Sequence, residues 1–432
     1  MLLQSRSIQN RAAVHSQGST LRGQVVRADT DHGRLSLNRG LKVNCSQDTP
    51  REALAKAARN AACGLACAAA FLGPVNETLA AVQQAYPDVA MLTAGDPVKN
   101  ANALLRYALP IDNKEIRTIQ RNLEGISEDL RVPGVKFSGV SKAVNTSLKI
   151  ASKQQNKILA SVPDQNKDDA KLLLKDLVAG LEDFQVIVSN KDVQEVPIQQ
   201  QAMLDLVGQI EEDMLSGYPF EVPAQYASMP LLKGRATVEV NLRLVENPTI
   251  DKAQMTIVLD GLNAPVTAGN FVDLVQRKFY NNMEVQRADG FVVQTGDPEG
   301  PAVGFVDPKT NKVRTIPLEV YVPGDDAPVY EETLEEMGRY NAIPALPFNA
   351  YGTMAMARSE FENNSGSSQV FWLLKESELT PSSANLLDGR YAVFGYVTEG
   401  VDILEVLKVG DMIESIKVTK GIENLVNPSY EE

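Results

Sequence analysis

Between Ile116 and Met214, apolar residues return every three or four positions. Ile116, Ile119, Leu123, Ile126 and Leu130 form one seam, and Val144, Leu148, Ala151 and Ile158 a second. Leu174, Leu177, Leu181, Phe184 and Val188 form a third, and Met203, Val207, Ile210 and Met214 a fourth. That period marks an amphipathic helix with one buried stripe. Asp112 with Glu115 three residues on, behind Pro110, reads as a capping-box start, and Pro133-Gly134 as the end of that helix. Breaks near Pro133, Pro163 and Asn190 leave short connections, so an antiparallel up-down four-helix bundle is expected over residues 104–217. Pro197 falls in the first turns of its helix, where proline is tolerated best. The polar faces read as solvated surface, with a protein-binding face as the alternative.

Residues 218–234 break this rhythm with Pro219, Pro223 and Pro230 and read as a linker whose apolar residues pack on something. Beyond Gly234 the pattern alternates: Ala236, Val238, Val240, Leu242 and Leu244 face one way, Thr237, Glu239, Asn241 and Arg243 the other. Period two predicts strands. More follow at 255–259, 283–294, 353–358, 369–374, 391–397 and 412–419, with a short helix after Pro265. Many strands and few helices point to a closed barrel over residues 235–428. The fold class is therefore multi-domain, an all-α bundle followed by an all-β barrel. The stretch 300–349 is a long connection containing Glu331-Glu332-Thr333-Leu334-Glu335-Glu336, read as a short acidic helix on either a surface loop or a partner-docking element.

Residues 1–44 hold six arginines and one lysine against Asp29 and Asp31, a transit-peptide composition. A charge-free run from Ala61 to Leu72 follows Lys56 and Arg59 and reads as a second, hydrophobic signal, too short for the ~20 residues of a bilayer span. Together they make a bipartite presequence over residues 1–90, directed to the thylakoid lumen by a route without a twin-arginine pair, with a cut near Ala85 to Ala90. The other reading of the run is a helix of a small N-terminal domain.

Net charge sharpens the division. Of the total of −13, residues 1–90 carry +4, which leaves −17 on residues 91–432. An acidic body is a poor partner for nucleic acid or an anionic membrane surface. His15, His32, Cys45, Cys63 and Cys67 are all the histidines and cysteines, and all lie in the presequence. Once it is removed, Ser-His-Asp and Cys-His catalysis, Cys/His metal sites and disulfides are excluded. What chemistry remains must use arginine, carboxylates, hydroxyls, amides or apolar surface.

Four segments then carry the reading. They are Ala264-Pro265-Val266-Thr267-Ala268-Gly269-Asn270-Phe271; Gln286-Arg287-Ala288-Asp289-Gly290-Phe291-Val292-Val293-Gln294-Thr295-Gly296-Asp297; Gly366-Ser367-Ser368-Gln369-Val370-Phe371; and Leu387-Asp388-Gly389-Arg390-Tyr391-Ala392-Val393-Phe394-Gly395. In order and approximate spacing they resemble a cyclophilin-type peptidyl-prolyl cis-trans isomerase. With the presequence and helical domain, the whole chain is similar to the large thylakoid-lumen cyclophilins of plants and green algae.

The resemblance implies an eight-stranded antiparallel barrel capped by two helices, with a proline-binding groove on its outside. It implies that Arg287 is the catalytic arginine, Gln294 the glutamine beside it, Phe291, Met356 and Phe371 the proline pocket, and Ala357 and Gln369 the holders of the substrate backbone. Leu386 and Tyr391 stand at further groove positions, where the family often has tryptophan and histidine. Val370 replaces a phenylalanine, Arg358-Ser359 replaces an Asn-Ala pair, and one residue fewer separates Arg287 from Phe291. These departures favour peptide binding over turnover. No metal or cofactor is implied. The implied function is a prolyl isomerase or chaperone-like factor in assembly and repair of photosystem II, with proline-containing lumenal loops as clients. The rival reading is a scaffold that only binds such loops. From the position of the linker, residues 104–234 are expected to contact the barrel and partly cover its substrate face.

Overall fold

The computed structural model describes residues 97–131, 136–376 and 385–429, so the presequence lies outside the described residues. Helices come first in the chain: α1 (Ala101–Tyr107), α2 (Lys114–Glu124), α3 (Ile126–Arg131), α4 (Phe137–Lys153), α5 (Gln155–Ala160), α6 (Lys167–Ser189) and α7 (Glu195–Asp213). Each apolar seam is buried: Ile116, Ile119, Leu123, Ile126, Val144, Ala151, Leu177, Leu181, Phe184, Val207 and Ile210 expose nothing. Burial of each of these side chains larger than alanine contributes about 1.5–3 kcal/mol, which makes this core the main support of helices whose propensities are ordinary. Helix α2 contacts α4, α4 contacts α6, α6 contacts α7, and α7 returns to α2, a closed ring of four.

Asp112 does not cap the first bundle helix. The cap is Asn113, whose Oδ1 accepts from Ile116 N at 3.0 Å. Its Nδ2 donates to the Lys157 carbonyl at 3.1 Å and to Ser161 Oγ at 2.9 Å. A buried cap that must both accept and donate needs an amide, and a carboxylate cannot supply the donor.

Helix α1 serves the barrel. Leu104, Leu105 and Ala108 belong to the barrel's apolar core, while Arg106 reaches back to Glu124 at 3.0 Å. Arg117 donates to the carbonyls of Arg106 and Leu109 at 2.8 and 2.7 Å and pairs with buried Glu211 at 3.5 Å. The turn after α1 is thus held by the bundle while its apolar face belongs to the barrel.

The strands are β1 (Leu231–Leu232), β2 (Arg235–Arg243), β3 (Lys252–Asp260), β4 (Met283–Ala288), β5 (Val292–Thr295), β6 (Val306–Asp307), β7 (Lys312–Val313), β8 (Glu319–Val320), β9 (Val329–Tyr330), β10 (Thr353–Met356), β11 (Val370–Leu373), β12 (Val393–Glu399), β13 (Met412–Lys420) and β14 (Leu425–Val426). Eight of them close an antiparallel barrel in the order β10-β11-β5-β4-β13-β2-β3-β12. The alternating residues of β2 face inward as the pattern predicts, with Ala236, Val238, Val240 and Leu242 buried. Helix α8 (Pro265–Gln276), with proline at its start, is buried over most of its length and packs Phe271 against Tyr280 and Phe394. A four-residue helix α9 (Ile403–Val406) is the second helical element of the barrel unit.

The linker is a strap on the barrel. Tyr218 donates to the Gly261 carbonyl at 3.0 Å, Phe220 stacks on Tyr321 at 5.7 Å, Tyr226 lies 5.1 Å from Tyr330, and β1 pairs with β14. Its aromatic contacts fall on the 300–349 segment, where buried Glu319 accepts from Val266 N at 3.2 Å and Thr267 N at 2.9 Å, and from Tyr330 Oη at 2.9 Å. A carboxylate at the start of α8 satisfies donors that helix geometry leaves open.

The acidic helix expected at 331–336 is a turn. Glu331 has φ of +70°, and Thr333 and Glu336 bond each other reciprocally. One helical turn then ends at Gly338, also left-handed at +71°. The capping box is present but has no helix to cap.

Candidate functional site

A groove of about 360 Å³ opens on the barrel, and every residue lining it lies between Arg287 and Tyr391. Strands β4, β5 and β11 are adjacent, so Arg287 and Gln294, paired across one hairpin, meet Gln369, which lies just before β11 and 75 residues beyond Gln294. Phe371 forms an apolar wall, stacked at 6.0 Å on Phe348 and meeting Tyr391 edge-on at 5.5 Å. Phe291 is 44% exposed at the rim.

Arg287 is placed by two local devices. A bulge between Val285 and Arg287 shifts the register of β4 against β5, and Gly290, at φ of +75°, turns the chain tightly into β5. Asp289 fills that turn: Oδ1 accepts from the backbone N–H of Phe291 and Val292, both at 2.9 Å. Its Oδ2 takes Arg287 Nη2 at 2.6 Å and Nε at 2.7 Å. The Val292 and Phe291 N–H groups and the Arg287 guanidinium hold the Asp289 carboxyl down at about 2, so the ion pair persists through the physiological range. Arg287 therefore faces the groove with part of its donor capacity committed.

The amides form a second fixed line. Gln294 Nε2 donates to Gln369 Oε1 at 2.8 Å, and Gln369 Nε2 donates to Asp297 Oδ1 at 3.0 Å. Gly296, just before Asp297, has φ of +101°, and a Cβ there would stand 2.3 Å from the Ser368 carbonyl, so only glycine lets β5 pass this close. Ala357 N donates to the Gln369 carbonyl at 2.9 Å, which completes the frame between β10 and β11.

Of the nine expected site residues, Arg287, Phe291, Gln294, Ala357, Gln369, Phe371 and Tyr391 line the groove together. Met356 does not. It is buried at the end of β10, and a Cβ added at Gly366 would lie 3.0 Å from its Cγ. Leu386 also stays out, 86% exposed, because Leu387 N bonds Asn385 Oδ1 at 3.0 Å and Asn385 N bonds Asp388 Oδ2 at 2.9 Å. This turn presents Leu387 to the groove in place of Leu386. Asp388 is itself half-buried and also accepts from Phe348 N at 2.8 Å; partial desolvation pushes its carboxyl up to about 6.

Sequence reasoning missed Asp289, Leu387, Ser365, Ser367 and Val303. Only Asp289 carried a signal, an Asp-Gly turn two residues past the arginine. Arg358 was legible as a departure from the family and lines the groove as well. The cover expected from residues 104–234 is not there: no residue before Arg287 lines the groove among the described residues. The strap docks instead on residues 261, 321 and 330, and Glu212 of the bundle reaches Arg235 on β2 at 3.3 Å. Among the described residues no group of His, Cys, Asp and Glu could hold a metal.

A closed eight-stranded barrel with an arginine, two linked glutamines and an aromatic wall on its outer face defines a cyclophilin-type domain. Residues 245–425 match the family described as cyclophilin type peptidyl-prolyl cis-trans isomerase, and residues 100–215 match the PsbQ-like domain of the CYP38-like isomerases. The chain belongs to the cyclophilin-type peptidyl-prolyl cis-trans isomerase family, among the members with this helical domain. It is similar to the chloroplastic peptidyl-prolyl cis-trans isomerase CYP38 of Arabidopsis thaliana, 57% identical over 80% of this chain and 79% of that one. It is also similar to a putative thylakoid lumen isomerase of Synechocystis, 46% identical over 78% and 86%. The chloroplastic CYP37 of Arabidopsis thaliana is 34% identical over 75% and 70%. Chloroplast and thylakoid lumen are the location the presequence implies. No helix among the described residues is long and apolar enough to cross a membrane.

Proposed function

We propose that the groove binds proline-containing segments of protein clients and catalyses their cis-trans isomerisation slowly, with Arg287 as the catalytic residue. Rotation about the prolyl bond crosses a barrier of ~18–20 kcal/mol because the amide is resonance-stabilised. A guanidinium that donates to the prolyl nitrogen stabilises the deconjugated amide, while an apolar wall holds the ring and leaves the preceding carbonyl free to turn. Arg287 and Phe371 on one groove are the observation that carries this reading.

The Arg287–Asp289 pair favours a second reading, a scaffold that binds prolyl loops without turning them over. A carboxylate 2.6 Å from the guanidinium competes with the prolyl nitrogen for its donors. In either case the clients are lumenal loops of photosystem II subunits during assembly and repair, which the family resemblance and the lumenal location support. Binding and turnover of one Ala-Pro peptide series by the mature protein separate the two readings: binding with turnover supports the isomerase, binding alone supports the scaffold, and no binding defeats both.

A further inference from the structure

The position after Ala357 bears a guanidinium where the family often has an amide, and this side chain is built into the groove. Arg358 stands with its guanidinium carbon 5.0 Å from the centre of the Tyr391 ring. Nε donates to the Arg390 carbonyl at 2.9 Å, and Nη1 donates to the carbonyls of Ser359 and Glu360 at 2.8 and 3.3 Å. A guanidinium has five N–H donors, so these three bonds leave the two on Nη2.

Its charge is also unspent. The neighbouring arginines are neutralised, Arg287 by Asp289 at 2.6 Å and Arg390 by Glu335 at 2.5 Å. Among the described residues no carboxylate lies within ion-pair distance of Arg358. Glu336 feels its field, but that carboxylate is engaged by Thr333 N, Thr333 Oγ1 and Asn363 Nδ2. Residues 91–432 carry −17, so one uncompensated cation held rigid beside an apolar wall is a local exception. Because ring and carbonyls already fix the side chain, little conformational entropy is lost when Nη2 takes an acceptor.

We propose that Arg358 is a specificity-determining residue: the groove selects proline segments with an aspartate or glutamate within two residues of the proline, and Nη2 binds that carboxylate. The inference rests on the proposed reading of the groove as a prolyl site. A charge-assisted hydrogen bond at a half-buried position should give a preference of about 3- to 10-fold over the uncharged analogue.

The probe is the capped hexapeptide Ala-Ala-Ala-Pro-Ala-Ala, with Glu or Gln at each position within two residues of the proline, titrated into the mature protein at low salt. At one or more positions the Glu peptide should bind about 3- to 10-fold more tightly than the Gln peptide, and the ratio should shrink at high salt. It should fall to one in Arg358→Gln and stay above one in Arg358→Lys. A ratio of one at every position in the unaltered protein, or a ratio that survives in Arg358→Gln, overturns the inference while leaving the prolyl reading intact. Failure of every peptide to bind, the all-alanine parent included, overturns both.

Discussion

Arg287 and Asp289, two residues apart just ahead of the left-handed turn at Gly290, meet guanidinium to carboxylate at 2.6 Å on the rim of the groove. One oxygen of Asp289 builds the turn and the other occupies the arginine. Asp289→Asn separates these roles, because the amide oxygen still accepts the two backbone N–H bonds while the anion is gone. The expected outcome is a several-fold rise in kcat/KM for an Ala-Pro peptide with thermal stability nearly unchanged. A fall in kcat/KM in the folded variant would mean that the ion pair aligns Arg287 instead of damping it.

Acidification bears on Asp388. Its carboxyl titrates near 6 in the fold against 3.8 ordinarily, so the fold favours the protonated form. The stabilising contribution is full below pH 3.8 and is lost as pH rises through about 6, a span worth about 3 kcal/mol. Asp388→Asn cannot titrate. Between pH 7.5 and 4.5 the parent should gain most of that amount relative to the variant in urea unfolding; parallel curves would show that the site does not bury an ionisable carboxyl.

Within the bundle, Glu211 balances Arg117 in the core, with side-chain exposures of 0 and 5%. Glu211→Ala removes one partner of a buried ion pair and should lose about 3–5 kcal/mol of bundle stability, read by helical circular dichroism in urea. The double variant Arg117→Met, Glu211→Met should recover most of it. A loss under about 0.5 kcal/mol in the single variant would place the pair in the range of a surface contact.

The four helical seams were legible because a 3.6-residue period has one interpretation once it runs for three turns. Helix α1 was not: Leu104, Leu105 and Ala108 suit a bundle as well as a barrel, and only the fold decides which core takes them. Through the family's motifs the site was legible at Arg287, Gln294 and Phe371, whose side chains strand pairing fixes, and at Gln369 just before β11, but not at Met356, which the end of β10 buries away from the groove. It was lost where a turn sets direction. Bonds from Asn385 and Asp388 exchange Leu386 for Leu387, and nothing in the order of those residues says so. The acidic run at 331–336 failed in the same way, since a left-handed Glu331 and Gly338 confine it to one turn.

Turnover by Arg287→Ala tests the central claim most directly. Prolyl exchange in an Ala-Pro peptide, measured by NMR at equal concentrations of the parent and the variant, should fall by about 10- to 100-fold, with the barrel's amide spectrum otherwise preserved. Equal exchange rates from the two folded proteins would contradict the assignment of Arg287 as the catalytic residue.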